Sequence, residues 1–283
     1  TLLVVFHSMT GGTRQMAELV EVTERAGAKL VLVGDAKQLQ PVDAGGPFKA
    51  ISEKVGQVEL IDIKRQRDSW AKEAIHRFSE GEAERALEEY AKRGLVSLGE
   101  NRDDAMQLLV GDWKKEGVQN PKGNLILVGS NSEARQLNAS AQEERYRQGK
   151  LGEKSLKVEG TRFYENDRVL FTKNSRLYGV RNGQLGTVEA IDAKSESASV
   201  RLDSGKEVNI SLKQYSDLRL GYAVTTHKSQ GMTAENTFVL AGGPMQDREL
   251  SYVQASRAKG VTRFYTDKLE AGDNLSQLSR AMN

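Results

Sequence analysis

Apolar residues recur along this chain in short solid runs, each followed by a stretch with helical spacing. The run from Thr1 to Phe6 passes through a Gly-rich turn, Met9-Thr-Gly-Gly-Thr13, into an amphipathic stretch from Arg14 to Ala26. A second run follows, Lys29-Leu-Val-Leu-Val-Gly34. Solid runs alternating with helical periodicity predict a parallel sheet with crossover helices, because strands covered on both faces have no polar side. The rhythm continues. Val58 to Ile63 reads as a strand, and Phe78, Leu87, Tyr90 and Ala91 recur at helical spacing within Trp70–Arg93. Asn124-Leu-Ile-Leu-Val-Gly129 reads as a buried strand, followed by a helix capped by Asn131 or Ser132 and running through Arg147.

Near residue 155 the texture changes to short alternating segments separated by turns. They include Asp167-Arg-Val-Leu-Phe-Thr172, Gly186-Thr-Val-Glu-Ala-Ile191, Ala198-Ser-Val-Arg-Leu202 and Glu207-Val-Asn-Ile210, with Asn182-Gly183 and Ser204-Gly205 between them. This predicts a small β-barrel with a hairpin turn at Asn182-Gly183. After Tyr215 the α/β rhythm returns, with strands at Thr237–Leu240 and Arg263–Tyr265. A β-module with α/β sequence on both sides is an insertion. The last ten residues are expected to fray.

Composition narrows the class. The chain has 283 residues, 38% hydrophobic and 28% charged, an ordinary soluble balance. No apolar run approaches the roughly 20 residues a membrane span needs, and the first residues lack the basic flank of a signal peptide. A cytoplasmic protein is expected. With no cysteine and three scattered histidines, disulfides and thiolate metal sites are excluded and a zinc site is not expected. The net charge of +2 says little about partners. From Thr172 to Gln184, however, the chain carries Lys173, Arg176 and Arg181 without an acid, and Arg219 and Lys228 follow. Such a patch either holds phosphates or is a solvated basic loop.

Chemistry concentrates in three segments. In Gly34-Asp35-Ala-Lys-Gln38-Leu39-Gln-Pro41 an apolar strand ends at a Gly-Asp turn, which displays polar groups at the carboxyl edge of a parallel sheet, where such sheets bind ligands. Asp35 can serve magnesium through water, and Gln38 can bond a terminal phosphate or the attacking water; a plain loop cap is the alternative. In Thr225-Thr226-His227-Lys228-Ser229-Gln230-Gly231, hydroxyls, a lysine and an amide meet at a strand-to-helix turn, a composition that suits backbone phosphates or a polar helix cap. In Tyr252-Val-Gln-Ala-Ser256-Arg257-Ala258-Lys259, a helical arginine can complete a nucleotide site, because its fixed fork stabilises charge on a γ-phosphate. A lone helical arginine is otherwise a surface residue.

In this order the three segments resemble motifs III, V and VI of superfamily 1 helicases of the RecD-like branch, and Ile63-Lys-Arg65-Gln66-Arg67 resembles that branch's Arg-Gln motif IV. The resemblance runs from about Thr13 to Tyr265 and is nearest to the helicase part of conjugative relaxases of the TraA and TraI type. It implies an α/β fold of RecA-like parallel-sheet lobes, the first incomplete, with a small inserted β-barrel. The implied layout is a partial first lobe over 1–57, a second lobe over 58–155 and 214–272, a barrel over 156–213 and a tail over 273–283. It also implies ATP with Mg2+ as cofactors, with Gly34, Asp35, Gln38, Arg65 and Arg257 at the nucleotide and Gln38, Arg65 and Arg257 facing its γ-phosphate. Thr226, His227, Lys228 and Gln230 would couple ATP state to single-stranded DNA. The missing partners would be the N-terminal helicase part and a relaxase domain.

The sequence departs from that family in two places. It holds no Gly-x-x-x-x-Gly-Lys-Ser/Thr loop, the usual cradle of the β- and γ-phosphates, and truncation accounts for this most simply. Aligning Gly12-Thr-Arg-Gln-Met16 without gaps also puts Phe6 and His7 where the family has its Asp-Glu pair. The expectation is a motor portion that is inactive alone. Two further readings stay open. Val4-Val-Phe6-His-Ser8-Met-Thr10-Gly11-Gly-Thr13 resembles the phosphate loop of flavodoxins, which implies an FMN site at Ser8, Thr10, Gly11 and Thr13. A non-catalytic single-strand-binding module would keep only the barrel and the Thr225–Gly231 turn, with Phe163, Tyr164, Phe171 and Tyr178 as stacking candidates or core.

Overall fold

The structure is a computed structural model that describes residues 3–6, 13–33, 47–56 and 65–283. Ser8, Thr10, Gly11, Gly34, Asp35, Gln38 and the strand expected at Val58–Ile63 lie outside the described residues. At the N-terminal end, β1 (Leu3–Phe6), α1 (Thr13–Arg25) and β2 (Lys29–Leu32) form a β-α-β unit whose strands pair in parallel, Leu3 opposite Lys29. Helix α2 (Pro47–Val55) follows.

The stretch expected as one helical region is two helices, α3 (Ser69–Glu80) and α4 (Ala83–Lys92). Gly81 separates them because it adopts φ 77°, a left-handed conformation that costs glycine little, and closes α3 with its N–H toward the Phe78 carbonyl. Next come β3 (Val96–Gly99), α5 (Arg102–Gly117), β4 (Asn124–Val128) and α6 (Asn131–Arg147). The cap of α6 is Ser130, one residue before Asn131 and two before Ser132, the caps expected from the sequence. Its Oγ accepts from Glu133 N while the Glu133 carboxylate accepts from Ser130 N at 3.0 Å, a reciprocal capping box.

The insertion begins with the hairpin β5 (Ser155–Val158) and β6 (Thr161–Tyr164). It continues through β7 (Arg168–Phe171), β8 (Leu185–Asp192), β9 (Ser197–Leu202), β10 (Glu207–Ser211) and β11 (Leu218–Leu220). The chain then returns through β12 (Ala223–Thr225), a 3-10 turn at His227–Ser229, β13 (Asn236–Leu240), α7 (Arg248–Ser256), β14 (Thr262–Asp267), α8 (Lys268–Ala271) and α9 (Ser276–Ala281).

Two sheets dominate. One is five-stranded and wholly parallel in the order β12-β4-β13-β14-β3. Successive side chains on its central strands point to opposite faces. Ile126, Val128, Phe238, Leu240 and Tyr265 pack with Leu109 and Trp113 of α5 and Leu137 of α6. Leu125, Leu127, Val239 and Phe264 pack with Ile75 and Phe78 of α3 and Tyr90 of α4. Fully apolar strands are thus explained by helices on both sides. Among the described residues no helix is long and apolar enough to cross a membrane.

The other sheet is antiparallel, β10-β9-β8-β7-β11, and its end strands β10 and β11 do not pair with each other, so the expected barrel is open along that seam. Asn182-Gly183 forms a tight turn, with Gln184 N donating to Arg181 O at 3.2 Å, but it is not the tip of the β7–β8 connection. The tip lies earlier, where Ser175 and Val180 exchange both backbone hydrogen bonds, and Gly183, at φ 87°, turns the chain back into the ladder at Phe171. Phe163 and Phe171 are buried core and unavailable for stacking.

The insertion is fused to the parallel sheet. Val169, Phe171 and Val200 belong to the same apolar cluster as Trp113 and Ile126. At the junction the buried Asp167 accepts from Tyr222 Oη at 2.5 Å, Gln142 Nε2 at 2.6 Å and Tyr164 N at 2.7 Å. Asn138 of α6 holds the return strand through Tyr222 N, Ala223 N and Ala223 O. The last ten residues do not fray. Leu278 and Met282 are fully buried beside α4, and Asn283 Oδ1 accepts from Ala83 N at 2.8 Å, capping that helix.

Candidate functional site

Helix α7 is capped at its start by Asp247, whose carboxylate accepts from Leu250 N at 2.7 Å, and ends at Ser256, with Arg257 as its C-terminal cap. Helix C-termini leave carbonyls without partners and attract cations. Here the partners come from the expected motif IV. Arg65 Nη1 donates to Ser256 O at 2.8 Å, and Gln66 Nε2 donates to Ser256 O at 3.1 Å and Ala258 O at 2.8 Å. Arg67 adds a backbone bond to Lys259 O and an exposed ion pair with Glu235 at 2.8 Å.

Arg257 itself is 2% exposed. Its Nε donates to Val253 O at 3.2 Å and its Nη2 to Ser256 Oγ at 2.8 Å. Two of the three arginine and glutamine side chains expected at a γ-phosphate, Arg65 and Arg257, therefore meet on either side of one residue, 191 positions from Arg65 in sequence. The third, Gln38, lies outside the described residues, as do Gly34 and Asp35. Partial burial lowers the Arg65 pKa, and the Tyr252 hydroxyl works weakly against that; a guanidinium keeps its charge at neutral pH regardless.

A second polar focus lies at the carboxyl edge of the parallel sheet. Thr226 follows β12 and is fully buried, with its N–H and its Oγ1 both donating to Val128 O, at 2.9 and 3.1 Å. Ser229 Oγ donates to Thr226 O at 2.7 Å and closes the 3-10 turn. Thr226 thus holds the turn in place, while His227, Lys228 and Gln230 stand partly open. Lys228 Nζ reaches Asn131 Oδ1 at 3.4 Å, at the start of α6. Burial lowers its pKa, and nearby Arg219 lowers it further.

The two foci are joined by residues that the sequence did not single out. Gln254 of α7 donates to Thr226 Oγ1 at 3.2 Å and accepts from Gln246 Nε2 at 3.2 Å, and Gln246 also donates to Ser251 Oγ at 2.7 Å. These side chains are buried. The only available signal was a glutamine between two apolar positions, Val253 and Ala255, and that pattern does not say which partner it meets.

The chemistry of this donor set fits one part of a nucleotide site. Arg65 is partly exposed, whereas Arg257 is buried with its Nε and Nη2 turned to Val253 O and Ser256 Oγ. Among the described residues no group of three or more His, Asp or Glu could hold a metal ion, and the chain has no phosphate-loop sequence. The described residues therefore supply two arginines at one helix end but neither a phosphate cradle nor a group that could hold Mg2+.

A parallel sheet covered on both faces, an Arg-Gln pair gripping the end of an arginine-bearing helix, and a polar turn tied to that helix define a RecA-like lobe of the helicase type. Comparison with known proteins agrees. A family model described as an AAA domain matches residues 1–101. Over 269 residues the chain is 36% identical to the conjugal transfer protein TraA of Agrobacterium fabrum, covering 94% of this chain and 24% of that protein. It is 29% identical over 278 residues to the ATP-dependent RecD2 DNA helicase of Deinococcus radiodurans, covering 94% of this chain and 36% of that one. The chain is homologous to a segment of TraA-type proteins and of RecD-like superfamily 1 helicases, and it spans about a quarter of the TraA relative's length. The Pif1 helicase from Bacteroides, solved in complex with ADP-AlF3 and ssDNA, superimposes with a TM-score of 0.56 at 16% identity, covering 92% of this chain and 70% of that one, and so shares the fold. These matches include the segment on which the FMN reading rested, which leaves that reading without support.

Proposed function

We propose that this chain is part of an ATP-dependent motor acting on single-stranded DNA, of the kind carried by conjugative relaxase-helicases. In this reading residues 1–57 are part of a first RecA-like lobe, 58–155 and 214–272 the second, 156–213 the inserted β-module and 273–283 a C-terminal segment. Arg65 and Arg257 meet the γ-phosphate together with Gln38, with Gly34 and Asp35 on the nucleotide. The turn carrying His227, Lys228 and Gln230, held in place by Thr226, meets the DNA backbone. The observation that carries the reading is the placing of Arg65 and Arg257 on either side of Ser256, on a helix whose Gln254 bonds the turn at Thr226. That arrangement lets a change at the nucleotide arginines reach the DNA turn through buried hydrogen bonds. The upstream helicase part and a relaxase domain would be its partners.

The reading is tested by fluorescence anisotropy with a labelled oligonucleotide. Affinity for the single strand is expected to fall linearly on a log–log plot against salt, and Lys228→Gln is expected to make that slope shallower by about one phosphate contact. Absent or salt-insensitive binding would overturn the assignment. This chain alone is expected to give no sustained DNA-stimulated phosphate release, since it has neither the phosphate loop nor the Asp-Glu pair. Sustained turnover would show that other residues supply those roles.

A further inference from the structure

The connection between β7 and β8 presents an isolated apolar side chain. Leu177 is 76% exposed and lies at the tip of the small hairpin closed by Ser175 and Val180. The tip is firmly built. Ser175 N donates to Val180 O at 2.9 Å and Val180 N to Ser175 O at 3.1 Å, while Gly179, at φ 62°, completes the turn. Tyr178, next to Leu177, is turned inward, with its hydroxyl donating to Gln214 Oε1 at 2.9 Å and its ring edge-on to Tyr215. Lys206 Nζ grips Gly179 O at 3.1 Å. The aromatic residue is thus used as an anchor, and an aliphatic residue is held out in water.

The surroundings of Leu177 are cationic. No acid occurs from Thr172 to Gln184, and the guanidinium groups of Arg176 and Arg181 form no ion pair among the described residues. The positive charge continues toward the proposed DNA turn: Lys173 follows β7, Arg219 lies on the open side of neighbouring β11, and Arg219 is close enough to Lys228 to disfavour its charge. Lys173 and Arg219 are shared with Asp217 and Glu159, leaving Arg176 and Arg181 as the uncompensated pair beside the tip.

We infer that this hairpin is a wedge for the junction between single- and double-stranded nucleic acid, with Leu177 abutting the first base pair and Arg176 and Arg181 on the flanking phosphates. The inference rests on the single-strand reading above. Aromatic platforms are what unpaired bases stack on, whereas aliphatic side chains that part stacked bases act as wedges; the free charge at the tip complements phosphate rather than an apolar protein partner.

The test uses this chain with a forked duplex, carrying 2-aminopurine at the first paired position, and a single strand of matching length. The native chain is expected to bind the fork several-fold more tightly than the single strand and to raise the 2-aminopurine fluorescence. Leu177→Ala is expected to abolish both the preference and the signal while single-strand affinity stays unchanged, and Leu177→Met to retain them. Because Leu177 is exposed, the variants should keep the native circular dichroism and melting temperature. Preference and signal persisting in Leu177→Ala would overturn the wedge, as would native protein that binds single strands but ignores the fork. Failure to bind single strands at all would overturn the parent reading and the wedge with it.

Discussion

At the residue scale the arrangement around Arg257 depends on neighbours that carry no chemistry. Gln66 is buried, and its amide brackets Arg257 by holding the carbonyls of Ser256 and Ala258. Gln66→Ala leaves the Ala258 carbonyl short of a partner and is expected to cost about 1–3 kcal/mol. Arg67→Ala, which breaks an exposed ion pair, should cost at most about 1 kcal/mol. Urea melts of the two variants check the order, and equal losses would mean that Gln66 only fills space. Asp167 shows a different balance. Burial pushes its carboxyl up to about 6 even though Tyr222, Tyr164 and Gln142 donate to it and Arg145 is near. Between about pH 4 and 6 the folded chain therefore holds more protons than the unfolded chain. The stabilisation from this group is full below the lower limit and is lost as pH rises through 6. From pH 7 to pH 5 it should add about 1 kcal/mol, and Asp167→Asn should remove that gain. Parallel pH profiles for both proteins would contradict the assignment.

At the element scale, short-range rules placed most elements but not their ends. Apolar runs located β2, β4 and β13, where burial on both faces leaves a simple signal. The cap of α6 fell at Ser130 because the capping box needs a glutamate three positions on, and only Ser130 has one at Glu133. The last ten residues misled because a chain end whose apolar residues are scattered among polar ones looks frayed until its partner is known. Leu278 and Met282 fill a space under α4 that only the packed molecule provides. Leu278→Ala should therefore cost about 2–5 kcal/mol, the range for a buried leucine, and a thermal melt within a degree of native would show that the segment is dispensable.

At the scale of the whole molecule, the insertion and the parallel sheet share one apolar cluster, with Asn138 and Asp167 clamping the junction. An appended module would unfold independently, whereas a shared core couples the two. Urea unfolding followed at Trp113, in α5 against the sheet, and by a probe attached in the insertion should give coincident midpoints; separated transitions would mean that the junction does not transmit stability.

The sequence by itself determined the class of fold and the order of its motifs, because periodicity and motif spacing are local properties of the chain. Only the tertiary structure decided that Arg65 and Gln66 grip the end of the Arg257 helix, that Gln254 joins this helix to the turn at Thr226, and that Leu177 stands exposed while Tyr178 turns inward. Those outcomes depend on side chains far apart in sequence competing for the same carbonyls and the same buried space, and no local pattern specifies which of them meet.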